Sequence, residues 1–387
     1  MNNFGKMLSA FLLLSIYAGT ADARTGAVDM IGKVSGPPVT LFNPEAKGCE
    51  RGYDVPDAPA RAFRDSEQMI QLIATNHHNR RLTGPSFDKL SHPCNLMFQA
   101  DQSLNANAYD NYGWLTSFYT GNGKDVFALT HNEFHAFEQK SVCSSQDAVN
   151  CIEYSLTSAV SHDGGKTFHR TSPVALVAAL PYRYDEKQGL SGYSNPSNVI
   201  KFHDMYYVLF ASIDPRHDKS GVCIMRTPDL HDPKAWRGWD GSEFQIKFQN
   251  PYIQEKAAEA QKPCEPIGNL LYSLGSVSYF AAGSTFVAIM RKNPWDQPPT
   301  DDPPGVYMAT STDLLNWSKP SLLIKDKDVD PSGKTNLLYP ALLDPHASDR
   351  NFLNVTAEPL LFTVDAIQGA SFDSHKLVYR PVQLRLP

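Results

Sequence analysis

Beyond its N-terminus, the sequence lacks an apolar run long enough to cross a lipid bilayer, which argues against an integral membrane protein. It also lacks a block of basic residues, and the net charge is -6, so nucleic acid is not an expected partner. Zinc motifs of the C-x-x-C type and the helical H-E-x-x-H type are missing as well. These absences favour a globular protein whose ligand is neither a membrane nor a nucleic acid.

The N-terminus has the features of an export signal. The short apolar stretch "MLSAFLLLSIYAG" is followed by "ADA", a small-x-small pattern that signal peptidase cleaves. We predict a signal peptide over residues 1–23, with cleavage after Ala23; an N-terminal membrane anchor is the alternative. Cleavage leaves about 360 residues with no membrane association, enough for a large core. The expected location is secreted or periplasmic.

The cysteine content agrees with export. Six cysteines form an even set, which permits three disulfides in an oxidising compartment. Cys143 and Cys151 flank the short polar loop "SSQDAVN", and we predict that they are bonded. The sequence leaves the pairing of the other four open: Cys49, Cys94, Cys223 and Cys264.

Helix signals are scarce, and one amphipathic stretch, "YIQEKAAEAQ" near 252–261, stands out. The remainder consists of short β-rich runs separated by Gly, Pro, Asn and Asp, which indicates an all-β protein. Several runs resemble one another, each ending in a polar tail: "MIQLIATNHHNRR", "DVFALTHNEFH", "YYVLFASIDPRHD" and "TFVAIMRKNPWD". A weaker fifth copy begins "LLYPALLDPHASD". Such repeats predict a five-bladed β-propeller over residues 51–387, after an irregular N-terminal arm over 24–50.

Aspartate-containing turns support the propeller. "SHDGGKTF" at 161–168 fits the Asp-box pattern S-x-D-x-G-x-T-W with Phe168 in place of tryptophan, and "STDLLNW" at 311–317 is a looser relative. In such turns the aspartate accepts hydrogen bonds from backbone N–H groups and the aromatic residue plugs between strands. The turn is structural, so it indicates the fold and not the chemistry.

On these blade patterns the chain resembles the five-bladed β-propeller glycoside hydrolases, a group that includes arabinanases, xylosidases and fructan-cleaving enzymes. "MYYVLFAS" and "ATSTDLLNW" fit the strand and turn style of that group. The Asp box also overlaps with sialidases, which have six blades. The resemblance implies an exported enzyme that cleaves a polysaccharide or oligosaccharide, with a furanoside as one candidate, and uses two carboxyl groups.

Propeller topology predicts which polar residues converge. The start of each first strand and the end of each second strand lie on one rim, so side chains at those positions should surround one funnel. The segment "HNEFH", 131–135, ends a second strand. Because strand side chains alternate, we expect His131, Glu133 and His135 to share one face. Tyr339 of the fifth copy falls on the same rim.

Three carboxylates are the catalytic candidates. By resemblance, Asp57 at the start of the first blade is the general base or nucleophile, although it could simply cap the turn before Pro59. Glu133 is the candidate acid, with a pKa raised by apolar neighbours, or else a structural partner of the histidines. Asp110 would orient the acid. The resembling enzymes take their acid from the third blade, which here opens with "GYSNPSNVI" and no carboxylate.

Aromatic, imidazole and basic side chains on the same rim are the predicted substrate-binding residues. They are His77, His78, Arg80, His131, His135, Tyr112, Trp114, Tyr193, Asn195 and Arg291.

Three alternatives stay open at this point. The first is a propeller that binds carbohydrate without cleaving it. The second is a metal-dependent lyase or hydrolase that uses His77, His131 and His135, although we predict no cofactor. The third is a sialidase-like enzyme, which needs three convergent arginines drawn from Arg80 or Arg81, Arg216 and Arg291.

Overall fold

The computed structural model describes residues 28–145, 147–296 and 300–387, so the predicted signal peptide lies outside the described residues. Strands dominate, and the protein is all-β as predicted. The described α-helices have four or five residues each: α1 (Pro44–Lys47), α2 (Glu255–Glu259) and α3 (Asp326–Val329). The amphipathic stretch at 252–261 therefore forms a helix shorter than expected. Among the described residues, none of the helices is long and apolar enough to span a membrane.

The strands are numbered in chain order. The first twelve are β1 (Ile31–Val34), β2 (Val39–Phe42), β3 (Pro56–Arg64), β4 (Ile70–Thr75), β5 (Leu82–Gly84), β6 (Tyr112–Tyr119), β7 (Val126–His135), β8 (Ile152–Ser161), β9 (His169–Arg170), β10 (Leu176–Ala178), β11 (Ser191–Ser194) and β12 (Ile200–Phe202). The next twelve are β13 (Met205–Asp214), β14 (Lys219–Thr227), β15 (Arg237–Trp239), β16 (Phe244–Lys247), β17 (Ser273–Phe280), β18 (Thr285–Lys292), β19 (Gly305–Ser311), β20 (Ser321–Lys325), β21 (Thr335–Leu343), β22 (Asn354–Val355), β23 (Leu360–Ile367) and β24 (Lys376–Arg385).

These strands form sets of neighbouring antiparallel strands, as repeated hairpin units should. One sheet has the order β3-β4-β5, a second follows β17 to β20 with β22 added in parallel beside β17, and a third has the order β1-β24-β23-β21. The largest sheet has the order β6-β7-β8-β11-β13-β14-β15-β16. Within it, β8 and β11 pair in parallel and so join two antiparallel sets into one sheet.

The N-terminal arm is part of the fold. β1 and β2 both pair antiparallel with the C-terminal strand β24, with Ile31 opposite Arg385 and Val39 opposite Tyr379. The expectation of an irregular arm is therefore wrong, and a domain boundary at residue 50 separates strands that are hydrogen-bonded to each other. These two strands could not be predicted because each is only four residues long, too short for a clear alternation pattern.

The inner strands surround one buried guanidinium. Arg61 of β3 is 4% exposed and donates hydrogen bonds to four carbonyl oxygens, those of Ala60 (3.3 Å), Thr116 (2.9 Å), Pro196 (3.3 Å) and Gly275 (2.6 Å). These carbonyls belong to β3, to β6, to the segment after β11 and to β17. One side chain thus ties together first strands from different parts of the chain, and these strands must approach a common axis. Burial lowers the pKa of Arg61 to about 9.

The aspartate turns are held by local hydrogen bonds. Asp163 accepts from the backbone N–H groups of Lys166 (2.9 Å) and Thr167 (3.0 Å), and Phe168 is buried against Phe118. In the turn at 311–317 an aspartate accepts in the same way, and the closing tryptophan is 4% exposed. Each turn therefore fixes an aromatic side chain between strands.

The described residues contain three disulfides: Cys143–Cys151, which confirms the predicted pair, together with Cys49–Cys94 and Cys223–Cys264.

Candidate active site

The centre of the candidate site is Glu133 at the end of β7. Its Oε1 lies 2.9 Å from His131 Nε2, and its Oε2 lies 2.7 Å from His135 Nε2. The shared strand face expected for these three residues is therefore confirmed. A carboxylate can only accept, so each histidine donates from Nε2. The backbone N–H of Asn195 lies 3.4 Å from the other ring nitrogen of His131, Nδ1.

This double contact decides the charge of Glu133. Burial by itself raises the pKa of the carboxyl group, but the hydrogen bonds from His131 and His135 and their charges outweigh it and lower the pKa to about 2. The expectation that the pKa of Glu133 is raised is wrong. The sequence reasoning considered apolar neighbours, whereas the strand face supplies two imidazole donors to the same carboxylate. Glu133 is thus ionised at neutral pH.

A second carboxyl group, Asp57 of β3, lies close enough for its charge to interact with that of Glu133. Trp114 Nε1–H donates to Asp57 Oδ2 (3.1 Å), and the Tyr339 hydroxyl donates to Oδ1 (3.0 Å). Burial raises the pKa of Asp57 to about 7, against the two hydrogen bonds that lower it, and the charge of Glu133 adds to the rise. The same environment therefore shifts the pKa values of the two carboxyl groups in opposite directions.

Tyr339 reaches Asp57 from β21 through an unusual backbone conformation. Its φ is 51°, in the left-handed region that non-glycine residues seldom adopt, and Pro340 follows. The pairing of β21 with β23 shifts register at this point. Gly275 of β17 makes room, since a Cβ there would come within 1.8 Å of the Pro340 carbonyl oxygen. Such strain persists where the surrounding structure fixes it, and functional sites are common places for it.

Tyr154 is a site residue that the sequence reasoning missed. It lies opposite Glu133 in the pairing of β7 with β8, and its ring centroid is 5.0 Å from that of His131. Burial and the charge of Glu133 raise the pKa of Tyr154 well above its usual range. Sequence reasoning missed Tyr154 because the register of β8 against β7 cannot be predicted when a long loop separates the two strands.

Rings from β6 and from the segment just after β4 lie beside the Asp57 and Glu133 cluster. Trp114 contacts both His77 and His131, with centroids 5.3 and 5.6 Å apart, and Tyr112 stacks on His135 at 4.3 Å. The pKa of His77 is lowered to about 4 by burial and by the charges of His78 and His135, so its ring is neutral at pH 7. His77, Tyr112, Trp114, His131 and His135, which were predicted to lie on one rim, therefore lie close together.

Other predicted residues are engaged elsewhere in the fold. Asp110 forms an ion pair with Arg170 (2.6 Å), which occupies the carboxylate expected to orient Glu133. Tyr193 is 1% exposed and its ring packs on Phe210. Arg291 is 2% exposed. None of these contacts supports a role in binding substrate, and their assignments stay predictions.

Two further predicted residues, His78 and Arg80, share one partner. His78 Nδ1 lies 3.0 Å from Glu50 Oε2, and Arg80 Nη2 lies 2.6 Å from the same oxygen. These hydrogen bonds, that of His78 first, lower the pKa of Glu50 below its usual range. The His78 ring contacts the His77 ring, whereas the Arg80 side chain is buried.

The arginines required for a sialidase-like site are dispersed. Arg291 is bound bidentately by Asp326 (2.6 and 2.7 Å). Arg81 donates to the Lys166 carbonyl oxygen (3.3 Å). Arg216 stacks over Tyr182 and lines a cavity of about 470 Å³ that shares none of its lining residues with the Asp57 and Glu133 cluster. These partners hold the arginines apart, so the geometry does not favour binding of a carboxylated sugar by three of them.

Metal binding is not favoured by the ligand geometry either. Within the part of the chain that the structure describes, the group with the spacing of a metal site is Cys49, His92 and Cys94. The two sulfurs of that group are bonded to each other, so they offer no thiolates. At the rim, Glu133 accepts hydrogen bonds from the Nε2–H groups of His131 and His135, so those nitrogens carry protons and are not free to bind a metal.

Comparisons with known proteins agree with this fold. No family model matches the sequence, and no curated protein is similar enough to match. Among solved structures, a family 117 glycoside hydrolase from the marine bacterium Zobellia galactanivorans superposes with a TM-score of 0.53 at 8% identity, over 92% of this chain and 91% of that chain. The catalytic domain of a GH62 α-L-arabinofuranosidase from Coprinopsis cinerea gives a TM-score of 0.48 at 12% identity, over 92% and 98%. The predicted resemblance to propeller glycoside hydrolases is thereby confirmed at the level of the fold.

Proposed function

We propose that this protein is an exported glycoside hydrolase on a five-bladed β-propeller, with Asp57 and Glu133 as its two carboxyl groups. The observation that carries the proposal is the geometry of one cluster, in which Trp114 and Tyr339 donate to Asp57 while His131 and His135 contact Glu133, and the opposite pKa shifts of the two carboxyl groups agree with it. Glycosidic cleavage needs one protonated and one ionised carboxyl group, and an environment that separates their pKa values assigns the two roles. Dividing the largest sheet at the parallel pair β8 and β11 gives five strand sets, four of which supply a carbonyl oxygen to Arg61, and this grouping supports the blade count.

The direction of the shifts reverses the roles expected from the sequence. With a pKa of about 7, Asp57 keeps a proton in a fraction of molecules at neutral pH and suits the general acid that protonates the leaving oxygen. With a pKa of about 2, Glu133 is ionised and suits the group that attacks the sugar or activates water. Trp114 and Tyr339 position Asp57, while His131 and His135 position Glu133.

Export is the second component of the proposal. Three disulfides among the described residues fit an oxidising compartment, and the leader-like sequence at 1–23 supports secretion or periplasmic location. A carbohydrate is the expected substrate, as for the glycoside hydrolase that superposes on this chain.

The test is a product screen on a panel of polysaccharides and oligosaccharides, with released sugars separated by chromatography. We expect Asp57→Asn and Glu133→Gln each to lose at least about a hundredfold in turnover. Glu153→Gln is the matched control, because Glu153 is also a buried carboxyl group with a raised pKa but its side chain bonds Tyr252. A non-catalytic carbohydrate-binding protein would instead bind a polysaccharide and release no sugar.

Substrates with different leaving groups separate the roles. The phenol of an aryl glycoside with an acidic leaving group departs without full protonation. Asp57→Asn should therefore retain much of the activity on such a substrate while losing activity on natural linkages. Glu133→Gln should be inactive on both. The opposite pattern, with Glu133→Gln active on the aryl glycoside, would restore the roles expected from the sequence. Activity of the wild type that disappears with a chelator and returns with a metal would favour the metal-dependent alternative.

A further inference from the structure

A chain of six rings lies along the rim beside the candidate active site. Each ring contacts the next, and successive centroids are 4.3 to 5.1 Å apart. We call this set the ring ladder, and its members in spatial order are Tyr53, His78, His77, Tyr112, His135 and Phe137.

The ring ladder is partly exposed along its length. Its four inner rings are half-buried, whereas its two end residues, Tyr53 and Phe137, are 44% and 36% exposed. At each end the aromatic ring stacks on a histidine, Tyr53 on His78 and Phe137 on His135. Exposed aromatic rings fixed on one face by a stacked neighbour are rigid apolar surfaces, and burying them against a ligand costs little side-chain entropy.

The middle of the ring ladder touches the proposed catalytic residues. His77 contacts Trp114, whose indole N–H donates to Asp57, and His135 donates to Glu133. A ligand lying along the ring ladder therefore passes the carboxyl pair with rings on both sides of it. A neutral His77 also offers one donor and one acceptor, the pair that a sugar hydroxyl can use.

Several rings of the ring ladder contact carboxylates directly. Three of its rings donate to carboxylates: His78 to Glu50, Tyr112 to Glu138 (2.6 Å) and His135 to Glu133. Arg80, the cation bound to Glu50, has a side chain only 7% exposed. An anionic polymer laid on these rings would be repelled by the carboxylates that they contact, because like charges at close range repel.

We propose that the ring ladder binds an extended neutral polysaccharide, with Tyr53 and Phe137 as outer contacts on opposite sides of the cleaved bond. The inference rests on the proposed glycosidase function for its orientation, but binding itself does not require catalysis. The proposed ligand is a chain of uncharged sugars, and neither a single sugar nor an acidic polymer.

Binding is tested by affinity electrophoresis in gels that contain arabinan, arabinoxylan or galactomannan as neutral probes, and polygalacturonate or carrageenan as anionic probes. The parent protein is Glu133→Gln, so that probes are not consumed. We expect retardation by at least one neutral probe and by neither anionic probe. Adding Tyr53→Ala or Phe137→Ala should weaken binding about fivefold or more, the scale for losing one stacked ring. Tyr53→Phe and Phe137→Tyr keep the ring and should bind as the parent does.

Each outcome bears on the ring ladder separately from catalysis. Retardation by neutral probes that the alanine variants lack supports the ring ladder even if the wild type releases no sugar, and that result would overturn only the proposed hydrolase. Three results would overturn the proposed binding role of the ring ladder. They are no retardation by any neutral probe, equal retardation of the parent and the alanine variants, and stronger binding to the anionic probes. Circular dichroism of each variant confirms that the alanine changes leave the fold intact.

Discussion

Glu153 allows the effect of a buried carboxyl group on stability to be separated from catalysis. It lies on β8 next to Tyr154, but its own side chain points away from Glu133 and accepts from the Tyr252 hydroxyl (2.8 Å). Burial raises the pKa of Glu153 from 4.5 to about 7, although the hydrogen bond from Tyr252 lowers it. A shifted pKa alone does not mark a catalytic residue, and this one belongs to the packing behind the site.

The sign of the pH effect follows from the direction of the shift. Because the folded pKa exceeds the unfolded one, the folded protein binds more protons between about pH 4.5 and 7. The stability contributed by protonated Glu153 is fully present below pH 4.5 and is lost as the pH rises through about 7. A rise from 4.5 to about 7 corresponds to about 3 kcal/mol when one pKa unit is about 1.4 kcal/mol. Most of this loss, about 2 to 3 kcal/mol, falls between pH 5 and pH 8.

Glu153→Gln removes the charge and keeps an acceptor for Tyr252. We expect its free energy of unfolding, relative to that of the wild type, to rise by about 2 to 3 kcal/mol between pH 5 and pH 8. Urea denaturation at both pH values measures the difference. Glu138→Gln, at an exposed carboxylate, is the control and should show no comparable change. A Glu153→Gln protein that loses stability in parallel with the wild type over this range would refute the reasoning.

Two further predictions concern the centre of the molecule. Trp114→Phe removes the indole donor to Asp57 but keeps a ring, so the pKa of Asp57 should rise further. The alkaline limb of the pH profile of kcat/KM, expected near pH 7 in the wild type, should then move to higher pH. An unchanged limb would argue against Asp57 as the acid. Arg61→Met leaves four buried carbonyl oxygens without their donor and should lower the free energy of unfolding by about 3 kcal/mol or more in urea melts, whereas an unchanged midpoint would show that Arg61 does not hold the inner strands together.

The sequence by itself determined the kind of element that carries each candidate residue. Alternation in "VFALTHNEFH" placed His131, Glu133 and His135 on one strand face, because side-chain direction in a strand depends only on parity. Repeated apolar runs with polar tails indicated an all-β fold, and a short loop between two cysteines indicated the Cys143–Cys151 disulfide. Each of these depends on local geometry, which a sequence encodes directly.

Only the tertiary structure decided which groups meet. The donors to Asp57 come from Trp114 and from Tyr339, 57 and 282 residues further along the chain, and the register that brings Tyr154 opposite Glu133 depends on pairing across a loop. The protonation states follow from these contacts, because burial and specific donors shift a pKa far more than sequence neighbours do. For that reason the sequence could name Asp57 and Glu133 as candidates, while the opposite shifts of their pKa values depend on contacts that only the fold creates.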